Sequence, residues 1–158
     1  MSYHILKDFL FTQGVGSTKL FKQDFYCAVM VSIAGYMSSP FFSVYGATKA
    51  ALRIFIESVN VELLQAGSTN QILNVSPGSI KGTAFDHGTN DLTLTTALAR
   101  QIIDHLAQKH DLFIPQYEEV YRHVLERYHQ DFRAEGKHSY EYKQMRLKME
   151  DGRWKMEN

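Results

Sequence analysis

The sequence predicts an α/β fold built on a small parallel sheet, and three observations carry that expectation. Ala28-Val29-Met30-Val31-Ser32 is a short apolar, β-branched run that ends in the small residues Ala34 and Gly35. Gln71-Ile72-Leu73-Asn74-Val75-Ser76 is a second such run, closed by Pro77-Gly78. Between them, residues 43–66 have the spacing of a long helix. Strand, helix, strand is a βαβ unit, whose strands run parallel with a right-handed crossover. Strands apolar on both faces suit a sheet covered on both sides.

Bulk properties narrow the function classes. The chain has 158 residues, 44% hydrophobic and 13% aromatic, which fits one ordinary domain with a globular core. Lys plus Arg equals Asp plus Glu, 17 each. A neutral chain gives no electrostatic reason to expect nucleic acid or an anionic membrane as partner. The single cysteine, Cys27, excludes an internal disulfide and fits a cytoplasmic setting. No apolar run reaches membrane-spanning length, and Lys7 and Asp8 interrupt any signal-peptide pattern at the start.

Residues 1–27 are the least legible. Ile5, Leu6, Phe9 and Leu10 have helical spacing, broken by Gly14-Val15-Gly16-Ser17-Thr18-Lys19. That stretch looks like a phosphate loop but lacks its spacing, so a Gly/Ser loop is expected. Ser43 is a candidate cap for the long helix and Gly67 a candidate stop. Ala47, Ala50, Ala51, Ile54, Phe55, Ser58, Val59 and Glu62 follow at helical spacing, as one stripe. Leu52, Ile56 and Leu63 lie off it, so the helix is apolar nearly all round and is expected to be buried in its own domain or against a partner.

Beyond the second strand, residues 79–90 read as a loop. Asp91 to His110 is amphipathic along Leu94, Leu98, Ile102 and Leu106. His105 and Lys109 are expected on its surface. Leu112 to Pro115 is a third, edge strand, and Tyr117 to Phe132 a helix with Val120, Val124 and Leu125 inward. Residues 133–158 read as a highly charged tail with the aromatics Tyr140, Tyr142 and Trp154, which could wrap the domain or a partner, or else is a frayed end. The expected division is thus an unclear start (1–27), an α/β segment (28–132) and a tail (133–158).

Chemistry concentrates at Tyr45 and Lys49. Four residues apart on a helix, they share one face about a turn apart. An ammonium beside a phenol favours the phenolate, so such a tyrosine could exchange a proton with an alcohol or carbonyl near neutral pH. In open parallel sheets ligands bind beyond the carboxyl ends of the strands. Ser32 stands at the end of the first strand, Pro77-Gly78 at the end of the second, and Tyr45 and Lys49 at the top of the connecting helix, so all gather on one edge. The seven histidines are scattered and show no metal-ligand spacing.

These residues resemble the short-chain dehydrogenase/reductase family. The matching features are Val-Ser-Ile-Ala-Gly at 31–35, Tyr45-Gly-Ala-Thr-Lys49, Ala50-Ala51-Leu52, Val-Glu-Leu at 61–63 and Asn74-Val-Ser-Pro77-Gly78. Ser32 precedes Tyr45 by the family's usual separation. The resemblance extends over roughly residues 28–143. It implies part of a Rossmann-like parallel sheet, here three strands as βαβ plus C-terminal helices. It further implies an NAD- or NADP-dependent oxidoreductase acting on a carbonyl or alcohol. Tyr45 would then be the general acid or base, Lys49 would hold the cofactor's ribose, and Ser32 would bind the substrate oxygen. Pro77, Gly78 and Ile80 would line the nicotinamide, with Thr83 near the carboxamide and phosphates. Residues 84–110 would form a substrate lid, His87 among them. The 45–65 helix would pair with its twin in a homo-oligomer.

Departures accompany the matches. The family's Thr-Gly-x-x-x-Gly-x-Gly turn, its Asn-Asn-Ala-Gly segment and its catalytic asparagine before the serine strand have no counterpart here. The expectation is therefore a truncated enzyme, or alternatively a non-catalytic remnant or oligomerisation partner. The first strand would lie at an open, association-prone edge.

Overall fold

A computed structural model describes residues 24–81, 83 and 92–150. The Gly14 loop, His87 with most of the expected lid's first half, and the last eight residues lie outside them.

The sheet has three strands, β1 (Cys27–Met30), β2 (Ile72–Val75) and β3 (Leu112–Phe113). Their order is β1-β2-β3 and both pairings are parallel, with Cys27 opposite Ile72 and Asn74 opposite Leu112. Helix α1 (Ser43–Gln65) connects β1 to β2, and α2 (Leu92–Ala107) connects β2 to β3. A π-helical turn (Tyr117–Tyr121) leads into α3 (Arg122–Gln130) and α4 (Phe132–Glu150). The α/β fold and the parallel sheet are as the sequence predicts. No helix among the described residues is long and apolar enough to cross a membrane.

Burial differs between the strands. Every residue of β2 is buried, as a central strand covered on both faces requires. In β1 only Val29 is buried, while Ala28 and Met30 are exposed, so the expectation of two covered faces fails there. Among the described residues β1 has no second neighbour, and it forms a sheet edge.

Helix α1 matches its predicted span, and its inward face draws on both the stripe that starts at Ala47 and the residues off it. Val29, Val31, Ile56 and Ile72 form the core, with Leu52, Phe55 and Val59 packed around them. Ala47, Ala51, Ile54 and Ser58 of that stripe are exposed. A helix apolar nearly all round has two candidate stripes, and periodicity cannot choose between them. Asn60 settles the choice, because its amide nitrogen donates to the Ile72 carbonyl (2.9 Å) and its amide oxygen accepts from the Ile72 N–H (2.8 Å). A buried side-chain amide thus completes the start of β2 as another strand would. Ser43 is not a cap. It is the first helical residue, and Phe42 before it makes no side-chain cap bond. Gly67 does end the helix, at φ 71, where Ser68 donates to the Leu63 carbonyl.

Two residues expected on the surface of α2 prove structural. The His105 ring stacks on Phe113 at 4.1 Å and its Nδ1 lies 2.7 Å from that of His110. Lys109 donates to Asp24 (2.6 Å), to the Phe25 carbonyl and to Asn70 (3.0 Å), joining the starts of β1 and β2. Its ammonium also lies 3.8 Å above the Tyr26 ring.

At the C-terminus residues 132–150 form a helix laid against the domain, the first of the two alternatives for the tail, and not a frayed end. Its polar sequence hides the contacts that hold it. Phe41 stacks on Tyr140 at 4.8 Å, and Lys143 donates to Ser39 (2.9 Å) and the Pro40 carbonyl (3.3 Å). Arg127 of α3 donates to the buried Glu135 through Nε (2.8 Å). Leu125 points inward as expected, joining Ile33 and Ile114, whereas Val120 is exposed.

The Arg127 hydrogen bond holds the Glu135 carboxyl below the ordinary carboxylate range, against the opposing effect of burial. A carboxyl depressed in the folded state stabilises above its unfolded pKa, about 4.3, and loses that contribution as pH falls through its folded value. Thermal melts of the wild type and Glu135→Gln should therefore differ at neutral pH and converge as the pH falls below about 4. Arg127→Met, which leaves the buried carboxylate with only the His138 ring beside it, should cost about 1–3 kcal/mol in denaturant unfolding at neutral pH.

Candidate active site

The predicted site residues lie where the chain leaves β1 and β2 and enters α1. After β1 the backbone tightens into a single 3-10 turn, Ile33–Gly35, capped by Ser32. The Ser32 hydroxyl accepts from the Ala34 N–H (3.2 Å) and is 3.5 Å from the Pro77 carbonyl, to which it donates. Ile33 donates its N–H to the same carbonyl (3.0 Å). Ser32 and Pro77 are thus brought together across the ends of two adjacent strands. Ser32 is buried, with 8% of its surface exposed.

Tyr45 and Lys49 occupy the first turns of α1, with the ammonium 5.6 Å from the Tyr45 ring centre. Lys49 also donates to the Met30 carbonyl (2.8 Å). The Val31 N–H donates to the Val75 carbonyl of β2, so the Met30 carbonyl, on the other side of the same trans peptide, faces the open edge of the sheet. The ammonium therefore satisfies an edge carbonyl. Burial pushes the Lys49 ammonium to a lower pKa than an exposed lysine.

Two glycines join the serine turn to the helix. A Cβ on Gly35 would lie 2.8 Å from the Lys49 carbonyl carbon, 2.9 Å from its oxygen and 3.0 Å from the Ala50 nitrogen. Those are backbone atoms of α1, which cannot step aside as a side chain could. A Cβ on Gly46 would lie 3.2 Å from the Ala34 carbonyl oxygen. The missing side chains at 35 and 46 let the turn and the helix approach to backbone contact. Ser32 at the head of the turn and Tyr45-Lys49 on the helix are held as one unit.

A polar network not singled out in the sequence braces the turn from below. Tyr36 accepts from the Asn74 amide (2.9 Å), whose oxygen accepts from Ser76 (2.7 Å). Asn74 and Ser76 are buried. The Arg53 guanidinium lies 4.7 Å above the Tyr36 ring and its Nε donates to the Gly35 carbonyl (3.1 Å). Burial pushes the Tyr36 phenol up, against the lowering influence of Ser76 and Arg53. The signal for Asn74 was a polar residue inside an apolar strand, which demands a partner when buried. Nothing in the sequence pointed to Tyr36 as that partner.

Residues 27–92 match the family model described as short chain dehydrogenase. Over that segment the chain is similar to the short-chain dehydrogenase family. Members are in general NAD(P)-dependent oxidoreductases. The match contains Ser32, Tyr45, Lys49, Pro77, Gly78, Ile80 and Thr83, and with them the whole βαβ unit. Comparison with curated proteins found no match, and neither did comparison with solved structures.

The remaining residues of the short-chain dehydrogenase segment allow a test of cofactor fit. Ile80 and Thr83 face each other across a short turn, the Thr83 hydroxyl donating to the Ile80 carbonyl (2.7 Å). The family resemblance would put a nicotinamide ring against Gly78. A Cβ there would fall inside the Tyr121 hydroxyl and 2.7 Å from the ring carbon that bears it. Together with the engaged Lys49 ammonium, this means that the residues as placed do not accommodate the cofactor. A groove of about 340 Å³, lined by Ile56, Asn60, Asn74 and Leu112 among others, contains none of the predicted site residues. Among the described residues no cluster of three His, Cys, Asp or Glu could hold a metal ion.

Gly35→Ala forces the serine turn off the helix and should destabilise the chain by about 1–3 kcal/mol, the usual cost of overpacking. Gly67→Ala, whose Cβ meets nothing within 4 Å, is the control for backbone strain alone. Urea unfolding of the two variants separates the effects.

Proposed function

We propose that this chain carries the proton-transfer part of an NAD(P)-dependent oxidoreductase, which moves a hydride between the nicotinamide and a carbonyl or alcohol substrate. The observation that supports it best is the glycine-mediated contact between the Ser32 turn and the Tyr45-Lys49 face of α1. A serine hydroxyl, a phenol and an ammonium held by one rigid contact are the groups that carbonyl reduction needs.

In the reductive direction the Tyr45 hydroxyl delivers a proton to the carbonyl oxygen as that oxygen gains negative charge. Ser32 donates a hydrogen bond to the same oxygen. At 3.5 Å its present bond to Pro77 is long, so turning towards substrate forfeits little. Lys49 stabilises the phenolate left on Tyr45 through its positive charge and returns its favour to the phenol once the proton is regained. In alcohol oxidation the same groups act in reverse. Lys49 would also hold the cofactor ribose, exchanging its bond with the Met30 carbonyl for one with a hydroxyl. Pro77, Gly78, Ile80 and Thr83 would line the nicotinamide end. The 158 residues contain no Thr-Gly-x-x-x-Gly-x-Gly turn, so they offer no glycine-rich cradle for the pyrophosphate.

The partner we propose for the outer face of α1 is a second copy of the chain. Val44, Ala47, Ala51, Ile54, Ser58 and Val61 recur at alternating spacings of three and four and are all exposed. That is the pattern of a helix–helix seam, with small residues that permit close approach. Val44, Ile54 and Val61 are more than half exposed, which is a large apolar cost without a partner.

Sedimentation should show concentration-dependent association of the wild type, and Ile54→Glu should return it to monomer. A wild type that stays monomeric removes the seam. For the chemistry, titration with NADH and NADPH should show saturable binding by fluorescence. Tyr45→Phe should lower turnover by about 10²–10⁴-fold while sparing cofactor affinity. Lys49→Ala should damage both turnover and affinity. Absence of saturable binding at millimolar cofactor contradicts the proposal.

A further inference from the structure

Tyr121 ends the π-helical turn 117–121, far in sequence from the family-matched segment, yet its hydroxyl lies against Gly78. Its ring packs beside Ile33, Ile114 and Leu125, together with Tyr36 and Met37. Ile33 is the residue after Ser32 and donates to the Pro77 carbonyl. The phenol therefore sits at the junction of the serine turn and the Pro77-Gly78 loop. Gly78 has a φ in the ordinary range, so backbone conformation does not demand glycine there. Space does, and Tyr121 fills that space.

We propose that Tyr121 is a gate on this site: its phenol occupies the face of Gly78 that a nicotinamide ring would use, and the cofactor binds only when that side chain withdraws. The proposal rests on the oxidoreductase reading above. Several features suit a side chain with two positions. Tyr121 follows Gln116 at φ 59 through a π turn, in which both Val120 and Tyr121 donate to the Gln116 carbonyl, at 3.0 and 3.3 Å. Such wide turns alter the direction of the side chains that follow and recur at functional sites. The Tyr121 ring is half-buried, so it has a route to solvent. Burial pushes its phenol to a higher pKa, and the Tyr142 phenol of α4 adds to that effect. Withdrawal of Tyr121 would leave Ile33, Ile114 and Leu125 to close the cluster beneath it.

The test compares NADH and NADPH binding to the wild type, Tyr121→Ala and Tyr121→Phe, by fluorescence titration. A ligand that binds only the open state has its apparent Kd divided by the open fraction, so a gate open about a tenth of the time weakens binding about tenfold. Tyr121→Ala should bind about tenfold tighter than the wild type. Tyr121→Phe, which removes the atom lying against Gly78 and keeps the ring in its cluster, should fall between them. Equal binding by all three overturns the gate and leaves the oxidoreductase reading intact. Weaker binding by Tyr121→Ala also overturns it, since the ring would then be a cofactor contact. No saturable binding by any of them overturns both readings. A second measurement needs no cofactor: Gly78→Ala should lower the unfolding midpoint in the wild type and leave it unchanged in Tyr121→Ala. An equal effect in both backgrounds means that Tyr121 does not occupy that space, and the gate falls.

Discussion

The backbone contact between Gly35 and Lys49 is the constraint on which this site depends. A turn and a helix can approach this closely only where no Cβ intervenes, and here both partners of the seam meet that condition, Gly35 on the turn and Gly46 on the helix. The contact fixes the direction in which the chain leaves β1. It places Ser32 over the end of β2, where Pro77 receives both its hydroxyl and the Ile33 N–H. It also holds the first turns of α1, and thus Tyr45 and Lys49, at the same sheet edge. Arg53 and the Tyr36-Asn74-Ser76 network brace the same turn, so polar groups with no evident chemistry of their own support the groups that have it.

The arrangement also shows what competes with function. Lys49 satisfies a carbonyl at the open edge of β1, and Tyr121 fills the free face of Gly78. Each is a favourable local contact made by a group that the proposed chemistry needs elsewhere, or in a space that it needs empty. A site with such contacts trades internal bonds for ligand bonds, so its affinity reflects the difference between them. The C-terminal helix takes part in this balance. It packs on residues 39–41, inside the stretch between Ser32 and Tyr45, and brings Tyr142 close enough to Tyr121 to influence it.

Much of the fold was legible because its signals are local. The apolar runs of β1 and β2, the turn at Pro77-Gly78 and the stop at Gly67 each follow from a few neighbouring residues. The same holds for the site: the order of serine, Tyr-x-x-x-Lys and Pro-Gly is written in the chain, and the family match covers it. What escaped depends on distant partners. The inward face of α1 is not legible locally, because nothing nearby reveals that Asn60 completes Ile72, twelve residues on. Helix α4 read as a tail, since its hold on the domain comes from Phe41, Ser39 and Arg127 rather than from an apolar stripe. His105 and Lys109 looked like surface residues because their partners lie on β3 and at the start of β1. Tyr121 at Gly78 joins residues 43 positions apart, a juxtaposition that spacing cannot foresee.

The central claim is that the serine turn and the first turns of α1 form one rigid body. Native-state hydrogen exchange at single amides tests it most directly. The N–H groups of Ile33 and Gly35, donated to Pro77 and Ser32, should exchange with the same opening free energy as those of α1 at Lys49 and Ala50. Exchange of Ile33 and Gly35 at rates of an open loop, while α1 stays protected, would show that the glycine seam does not couple them and would contradict the account.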